Sequence, residues 1–124
     1  MKKIEFKAFD KVIGKMYDVG YIDFANEVVQ VAMIKGGICY GTYVRRLKDV
    51  ALLQYTGLKD KNGNKIFDGD IVRVSAHPFD IDSNYEVGYN EYMELSCGSY
   101  YLSKMRSWAE VIGNIYESPE LLEN

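Results

Sequence analysis

The 124 residues include only two prolines, one histidine, one tryptophan and two cysteines, and each scarcity excludes something. With His77 as the single histidine, a zinc site would have to be gathered from Cys39, Cys97 and carboxylates in remote segments, and no spacing suggests one. Cys39 and Cys97 form no CxxC pair, so neither a redox motif nor a disulfide framework is indicated, and free thiols are expected. No apolar run reaches the roughly 18 residues of a membrane span, and nothing at the start reads as a signal peptide; an intracellular chain with no membrane partner is expected. No glycine-rich loop opens a helix, and no GxSxG elbow is present, so nucleotide hydrolysis and serine hydrolysis lack visible apparatus. Asp60, Asn62 and Asn64 resemble the start of a calcium loop, but the sixth position is Lys65 and the twelfth Ile71, where glycine and glutamate are needed. No metal or cofactor is expected, nor any catalytic residue.

Tyrosine is abundant, at eleven residues. A tyrosine buries its ring and keeps its hydroxyl wet, so this richness suggests strands with one solvated face. With 48% hydrophobic and 27% charged residues the chain is an ordinary globular sequence rather than a disordered one. Its length suits one domain, residues 1–124. The net charge of −3 hides an asymmetry: residues 1–73 carry 13 Lys/Arg against 9 Asp/Glu, residues 74–124 only 2 against 9. Such a distribution permits head-to-tail attraction between copies, or a basic face for phosphate, and is also compatible with plain solvated surface.

Alternation and turn residues predict a mainly β protein. Ile4–Phe9 alternates as a strand with Ile4, Phe6 and Ala8 on one face. Met16–Val19 and Tyr21–Phe24 follow, with Gly20 as a bulge between them. Glu27–Ile34 is rich in β-branched residues and ends at Gly36-Gly37, which turns the chain into Ile38–Tyr40. Arg45–Leu53 mixes helical and strand spacing and is expected to pass from loop to strand. Asn62-Gly63 and Asp68-Gly69 each suit a reversal, with Asp60 and Asp68 supporting their turns through side-chain hydrogen bonds. Asp70–Ala76 reads as a strand stopped by His77-Pro78. Tyr85–Val87, Glu91–Cys97, Tyr100–Met105 and Trp108–Tyr116 complete the expected strands around a single core, with Gly113 marking a bulge or a close approach. Ser118-Pro119-Glu120 should open one C-terminal helical turn.

From Leu53 to Val72 the sequence LQYTGLKDKNGNKIFDGDIV resembles the central signature of the YopX family. Ile4–Asp10 with Lys15-Met16-Tyr17 is similar to that family's opening, and Val111–Leu122 to its closing strand and helical turn. Phe9 stands where the family's opening carries tryptophan, which keeps a ring and loses the indole donor. The resemblance implies a small SH3-like β roll or barrel with additional strands, carried by phages or prophages in the cytoplasm of a host bacterial cell, with no established enzymatic activity. The signature itself is explained by turn-making glycines and aspartates and by buried Leu58, Ile66 and Val72.

Two functions fit these residues. One is a non-catalytic module recognising a host or phage protein, or another copy of itself, through Tyr85, Tyr89, Tyr92, Tyr100 and Tyr101 in the acidic half. The alternative is a nucleic-acid-binding small β-barrel using Arg45, Arg46, Lys48, Lys59, Lys61, Lys65 and Arg73, against which the pI near 5.2 and the acidic stretch both argue.

Overall fold

The computed structural model describes residues 3–123. Eleven strands are assigned among them: β1 (Phe6–Asp10), β2 (Lys15–Asp23), β3 (Val28–Lys35), β4 (Ile38–Arg46), β5 (Val50–Lys59), β6 (Lys65–Phe67), β7 (Asp70–Val74), β8 (Ser83–Tyr89), β9 (Leu95–Cys97), β10 (Tyr100–Tyr101) and β11 (Ala109–Asn114). A four-residue helix, α1 (Leu102–Met105), follows β10, and 3-10 turns occupy Leu47–Asp49, Arg106–Trp108 and Pro119–Leu122. Every pairing is antiparallel. Two sheets result, one in the order β4-β3-β2-β1-β5-β6 and one in the order β10-β9-β8-β7-β11. No pairing among the described residues closes either sheet, so the chain is a mainly-β protein of two antiparallel sheets with a short C-terminal helical turn rather than a demonstrated barrel.

Contacts divide the chain at Gln54 into two compact units, and β5 runs across the division. In Ile4–Gln54, a meander of β1 to β4 returns through the Leu47–Asp49 turn so that the first half of β5 pairs with β1. Gly36 and Gly37 make the β3–β4 turn at φ +57° and +78°, the left-handed pair such a reversal needs. The core of this unit gathers Ala8, Val29, Val31 and Val50, with Tyr17, Val19 and Tyr43 packed against them. These side chains share one face because residues directly opposite in register, such as Ala8 and Tyr17 or Val31 and Tyr43, point the same way.

The second unit, from Tyr55 onward, builds its core from Ile66, Val72, Val74, Val87, Cys97, Leu102, Met105 and Ala109. Its two hairpin reversals fall where Asn62-Gly63 and Asp68-Gly69 predict them, with Gly63 at φ +82° and Gly69 at φ +96°. Asp60 is buried, and its Oδ1 accepts the Asn62 and Asn64 amides at 2.9 Å while Oδ2 accepts that of Val111 at 2.9 Å. Burial works to raise its pKa, but these three amides more than offset that and hold it below the ordinary carboxylate value. At the second reversal the accepting side chain is Asp70, which takes the Phe67 amide at 2.7 Å, and not Asp68 as the sequence suggests.

Gly113 sits at the bulge where β11 slips against β7. A Cβ there would come within 2.9 Å of the Leu121 side chain, so the C-terminal turn closes over this position. Ser118 opens that turn without making the side-chain capping bond its position suggests.

Three local expectations differ. Tyr100–Met105 is strand only for two residues; Leu102 and Met105, three apart, are both buried, and that spacing belongs to a helical turn. Glu91–Glu94 is a hairpin loop and not strand, because Asn90 turns the chain there. Ile38–Tyr40 extends to Arg46, giving a nine-residue strand. Each unit has its own cluster of buried apolar residues.

Candidate functional site

Polar or exposed aromatic side chains gather at several places among the described residues. The first is a polar knot in the unit Ile4–Gln54. Asp10, at the end of β1, has no solvent exposure and still carries a carboxylate. Its Oδ2 accepts the Tyr43 hydroxyl at 2.6 Å and the Arg45 Nε–H at 2.7 Å, and its Oδ1 accepts the Val12 amide at 2.9 Å. The Ile13 amide approaches the same oxygen at 3.4 Å. Desolvation would raise the Asp10 pKa, but the Tyr43 and Arg45 donors and the two amides hold it below its ordinary value of 3.8. Tyr43 is shifted upward, first by burial and then by its bond to Asp10, so its hydroxyl stays protonated as a donor. Arg45 is raised by the same carboxylate, and its guanidinium also lies 5.0 Å from the centre of the Tyr43 ring.

This knot shapes the sheet. β1 and β4 are three places apart in the strand order, about 14 Å in a flat sheet at ~4.8 Å per strand. A direct bond between Asp10 and Tyr43 therefore requires the sheet to curl over its core. The Leu47 amide reaches Glu27 O at 2.8 Å and the Lys11 amide reaches Asp49 O at 2.9 Å, which fixes the turn that leads β4 into β5.

The second place is a groove of about 630 Å³ in the same unit. Its floor is the row Lys7–Asp18–Ala32 across β1, β2 and β3, on the face opposite Ala8 and Val31. Met16 and Ile34 add apolar surface, the largely exposed Tyr40 adds a ring, and Lys7, Lys15 and Lys35 line it as basic groups. These lysines are not apparent as a group in the sequence. Only the strand register assembles them, and no spacing within a single segment signals it.

The third place is the β8–β9 hairpin of the second unit. Asn90 Oδ1 accepts the amides of Tyr92 at 2.9 Å and Glu94 at 3.0 Å, and its Nδ2 donates to Glu94 Oε1 at 3.1 Å. The backbone closes the same loop, with the Asn90 amide on Glu94 O at 2.9 Å and the Met93 amide on Asn90 O at 3.0 Å. The well-tied tip projects Tyr92 and Met93, which are 75% and 76% exposed. Met93 holds φ +63°, a left-handed conformation unusual for an unbranched side chain of its length.

The five tyrosines singled out from the sequence separate. Tyr85 and Tyr100 pack against the core of their unit as an edge-to-face pair 5.9 Å apart, and the Tyr85 hydroxyl donates to Ile81 O at 2.6 Å. Burial raises the Tyr85 pKa. Tyr89, Tyr92 and Tyr101 are exposed. Tyr101 lies on the opposite face of the sheet from Tyr100 and hydrogen-bonds Glu94, which raises its pKa.

The basic candidates are divided between the two units. Arg45 is committed to Asp10 and Arg46 pairs with Asp49 at 3.2 Å, leaving Lys48 exposed beside them. In the other unit Lys61 reaches Ser75 Oγ at 3.4 Å, Lys65 lies 5.6 Å from the Tyr55 ring centre, the Lys59 carbonyl receives Arg106, and Arg73 stands opposite Glu110. Among the described residues no group of three or more His, Cys, Asp or Glu could hold a metal ion. Cys97 is buried with its thiol pushed up to about 11 by desolvation, and Cys39 is exposed.

The family described as YopX protein matches residues 5–123. The chain belongs to the YopX family. That span takes in the turn-making signature, the Asp10 knot and the tyrosine hairpin. The chain is also similar to a solved structure, protein EF1440 from Enterococcus faecalis, at 26% identity and a TM-score of 0.69, over 99% of this chain and 100% of that one. No curated protein matches. In this YopX-family chain Asp60 and Asp70 of the signature accept backbone amides and Gly63 and Gly69 make its reversals, so these residues serve the scaffold. No helix among the described residues is long and apolar enough to cross a membrane.

Proposed function

We propose that the chain is a non-catalytic binding module that recognises a protein through the β8–β9 hairpin, with Tyr92 at its centre and Tyr89 and Tyr101 on either side. The observation that carries this is the tip itself: two large apolar side chains, each about three-quarters exposed, on a loop fixed by five hydrogen bonds about Asn90. An exposed ring on a rigid loop loses little conformational entropy when covered, which is what makes tyrosine effective at interface centres. Tyr85 and Tyr100 support the hairpin from within and are not contact residues in this reading.

The partner is a host or phage protein in the cytoplasm of a bacterial cell, or a second copy. What favours a protein over nucleic acid is the dispersal of Arg45, Arg46, Lys48, Lys59, Lys61, Lys65 and Arg73 over both units, several of them already engaged. We also read the meander β1–β4, its 3-10 turn and the return of β5 to β1 as an SH3-like roll, supported by the curl that the Asp10–Tyr43 bond demands. The whole chain is taken as a single domain, for which the unbroken strand β5 is the support.

Affinity capture from bacterial cells with the tagged wild-type chain and a Tyr92→Ala variant tests the proposal. Proteins captured by the wild type and lost with Tyr92→Ala are expected; an identical set from both would refute it. Fluorescence anisotropy with single-stranded and duplex DNA is expected to show no binding at low salt.

A further inference from the structure

The groove and the hairpin tip are complementary in charge and in kind. The groove carries Lys7, Lys15 and Lys35 against the single carboxylate of Asp18, around Met16 and Ile34. The tip carries Glu91 and Glu94 with Tyr92 and Met93 between them, and residues 79–97 contain no lysine or arginine. At about 630 Å³ the groove falls within the ~300–1,000 Å³ of sites that enclose a compact ligand group. Met16 supplies polarizable, unbranched surface that adapts to an aromatic ring.

We propose that the Tyr92–Met93 tip of one copy docks in this groove of a second copy. The inference rests on the binding-module reading and names the partner. Charge decides the occupant: a basic partner would meet three lysines, whereas the acidic tip meets its opposite, and any solution of this chain contains both surfaces at equal concentration. Tip and groove are different patches, so the contact is heterologous and repeats head to tail, giving a ring or an open series as the rotation between copies dictates. The tip's fixed backbone means that little ordering is required on docking. The rim of lysines and glutamates steers encounter and makes association sensitive to salt.

Sedimentation velocity of the full chain over about 1 to 100 µM is the test. Association that weakens between about 50 and 500 mM salt is expected. Tyr92→Ala in the tip, and separately the pair Lys15→Glu and Lys35→Glu in the groove, should each raise the dissociation constant about 30-fold or more. Mixing the tip variant with the groove variant leaves one intact tip and one intact groove, so a heterodimer that grows no further is expected. Circular dichroism melts of each variant confirm folding, and heterodimer formation confirms it independently. A monomer at every concentration, or assembly unchanged in both variants, overturns the inference. If the chain is monomeric yet still captures cellular proteins in a Tyr92-dependent way, self-docking is wrong and the binding-module reading stands. Loss of both results removes both.

Discussion

Replacing Asp10 by asparagine isolates the electrostatics of the knot, because the side chain keeps its shape and loses its charge. The carboxylate serves donors on both sides: backbone amides at Oδ1, the Tyr43 hydroxyl and Arg45 Nε–H at Oδ2. An asparagine offers one acceptor oxygen and one donating NH2. If its oxygen stays with Val12 and Ile13, the NH2 meets Tyr43, whose hydroxyl can turn and accept, and Arg45, which cannot. Two charge-assisted bonds, each contributing about 1.5–3 kcal/mol, are lost. The turned hydroxyl returns about 1 kcal/mol, and the Arg45 side chain, 30% exposed, recovers part of its hydration. A net destabilisation of about 2–3 kcal/mol follows, measurable by urea unfolding at neutral pH. The pH dependence gives a second, independent readout. Asp10 is depressed in the folded state below 3.8, so its contribution is fully present above that value and is lost as pH falls through the lower folded pKa. Asp10→Asn should therefore flatten the acid limb of the stability profile and converge on the wild type at low pH. A loss under about 0.5 kcal/mol at neutral pH, or an acid limb of unchanged slope, would refute the reasoning.

Four further outcomes are expected. Gly98→Ala places a Cβ 2.5 Å from Tyr85 Cδ1 at φ +60°, and with Tyr85 held by the core and by Ile81 the loss should be about 2–4 kcal/mol by thermal or urea melt. Asp68 is partly buried with its pKa raised by desolvation; its charge is unfavourable at neutral pH, so Asp68→Asn should stabilise slightly at pH 7, by less than about 1 kcal/mol. That gain should vanish as pH falls through the folded pKa and the wild type protonates, and a gain independent of pH would contradict the assignment. A thiol reagent should label one cysteine in the native chain, Cys39, and reach Cys97 only on unfolding, since Cys97 is fully buried with its thiol near 11; two rapidly labelled thiols would be inconsistent with the fold. Met93→Gly relieves the φ +63° backbone, so it should leave the melting temperature within error or raise it while weakening the association that depends on the tip; a marked drop in melting temperature would show that the Met93 side chain packs in the isolated chain.

Local chemistry made much of the fold legible. Asn62-Gly63, Asp68-Gly69, Gly36-Gly37, the bulges at Gly20 and Gly113 and the final Pro119 turn each depend on residues adjacent in sequence, and all fall as expected. Features that rest on distant contacts were not legible. Asp10 follows Phe9 at the end of a short strand and looks like a solvated turn carboxylate, but its two side-chain donors lie 33 and 35 residues away. α1 is four residues long, too short for a period to separate it from the strand before it. Tyrosine is equally suited to both sides of a sheet, so composition could not distinguish Tyr85 and Tyr100, which are packed inward, from Tyr89, Tyr92 and Tyr101.

The residues that make the family recognisable and those proposed as binding surface are different sets, for a physical reason. Asp60, Asp70, Gly63 and Gly69 each satisfy a backbone requirement that no other position can meet, so the signature encodes a scaffold. At Tyr92 and Met93 only the backbone amides tie the loop to Asn90, so the two largely exposed side chains at its apex could be exchanged without breaking these hydrogen bonds. Surface that the fold does not need, held by a loop that the fold does fix, is free to differ between proteins sharing this scaffold. Transplanting residues 91–93 of another family member between Asn90 and Glu94 should therefore preserve the melting temperature and change the proposed partner, whereas altering Asn90 should cost both.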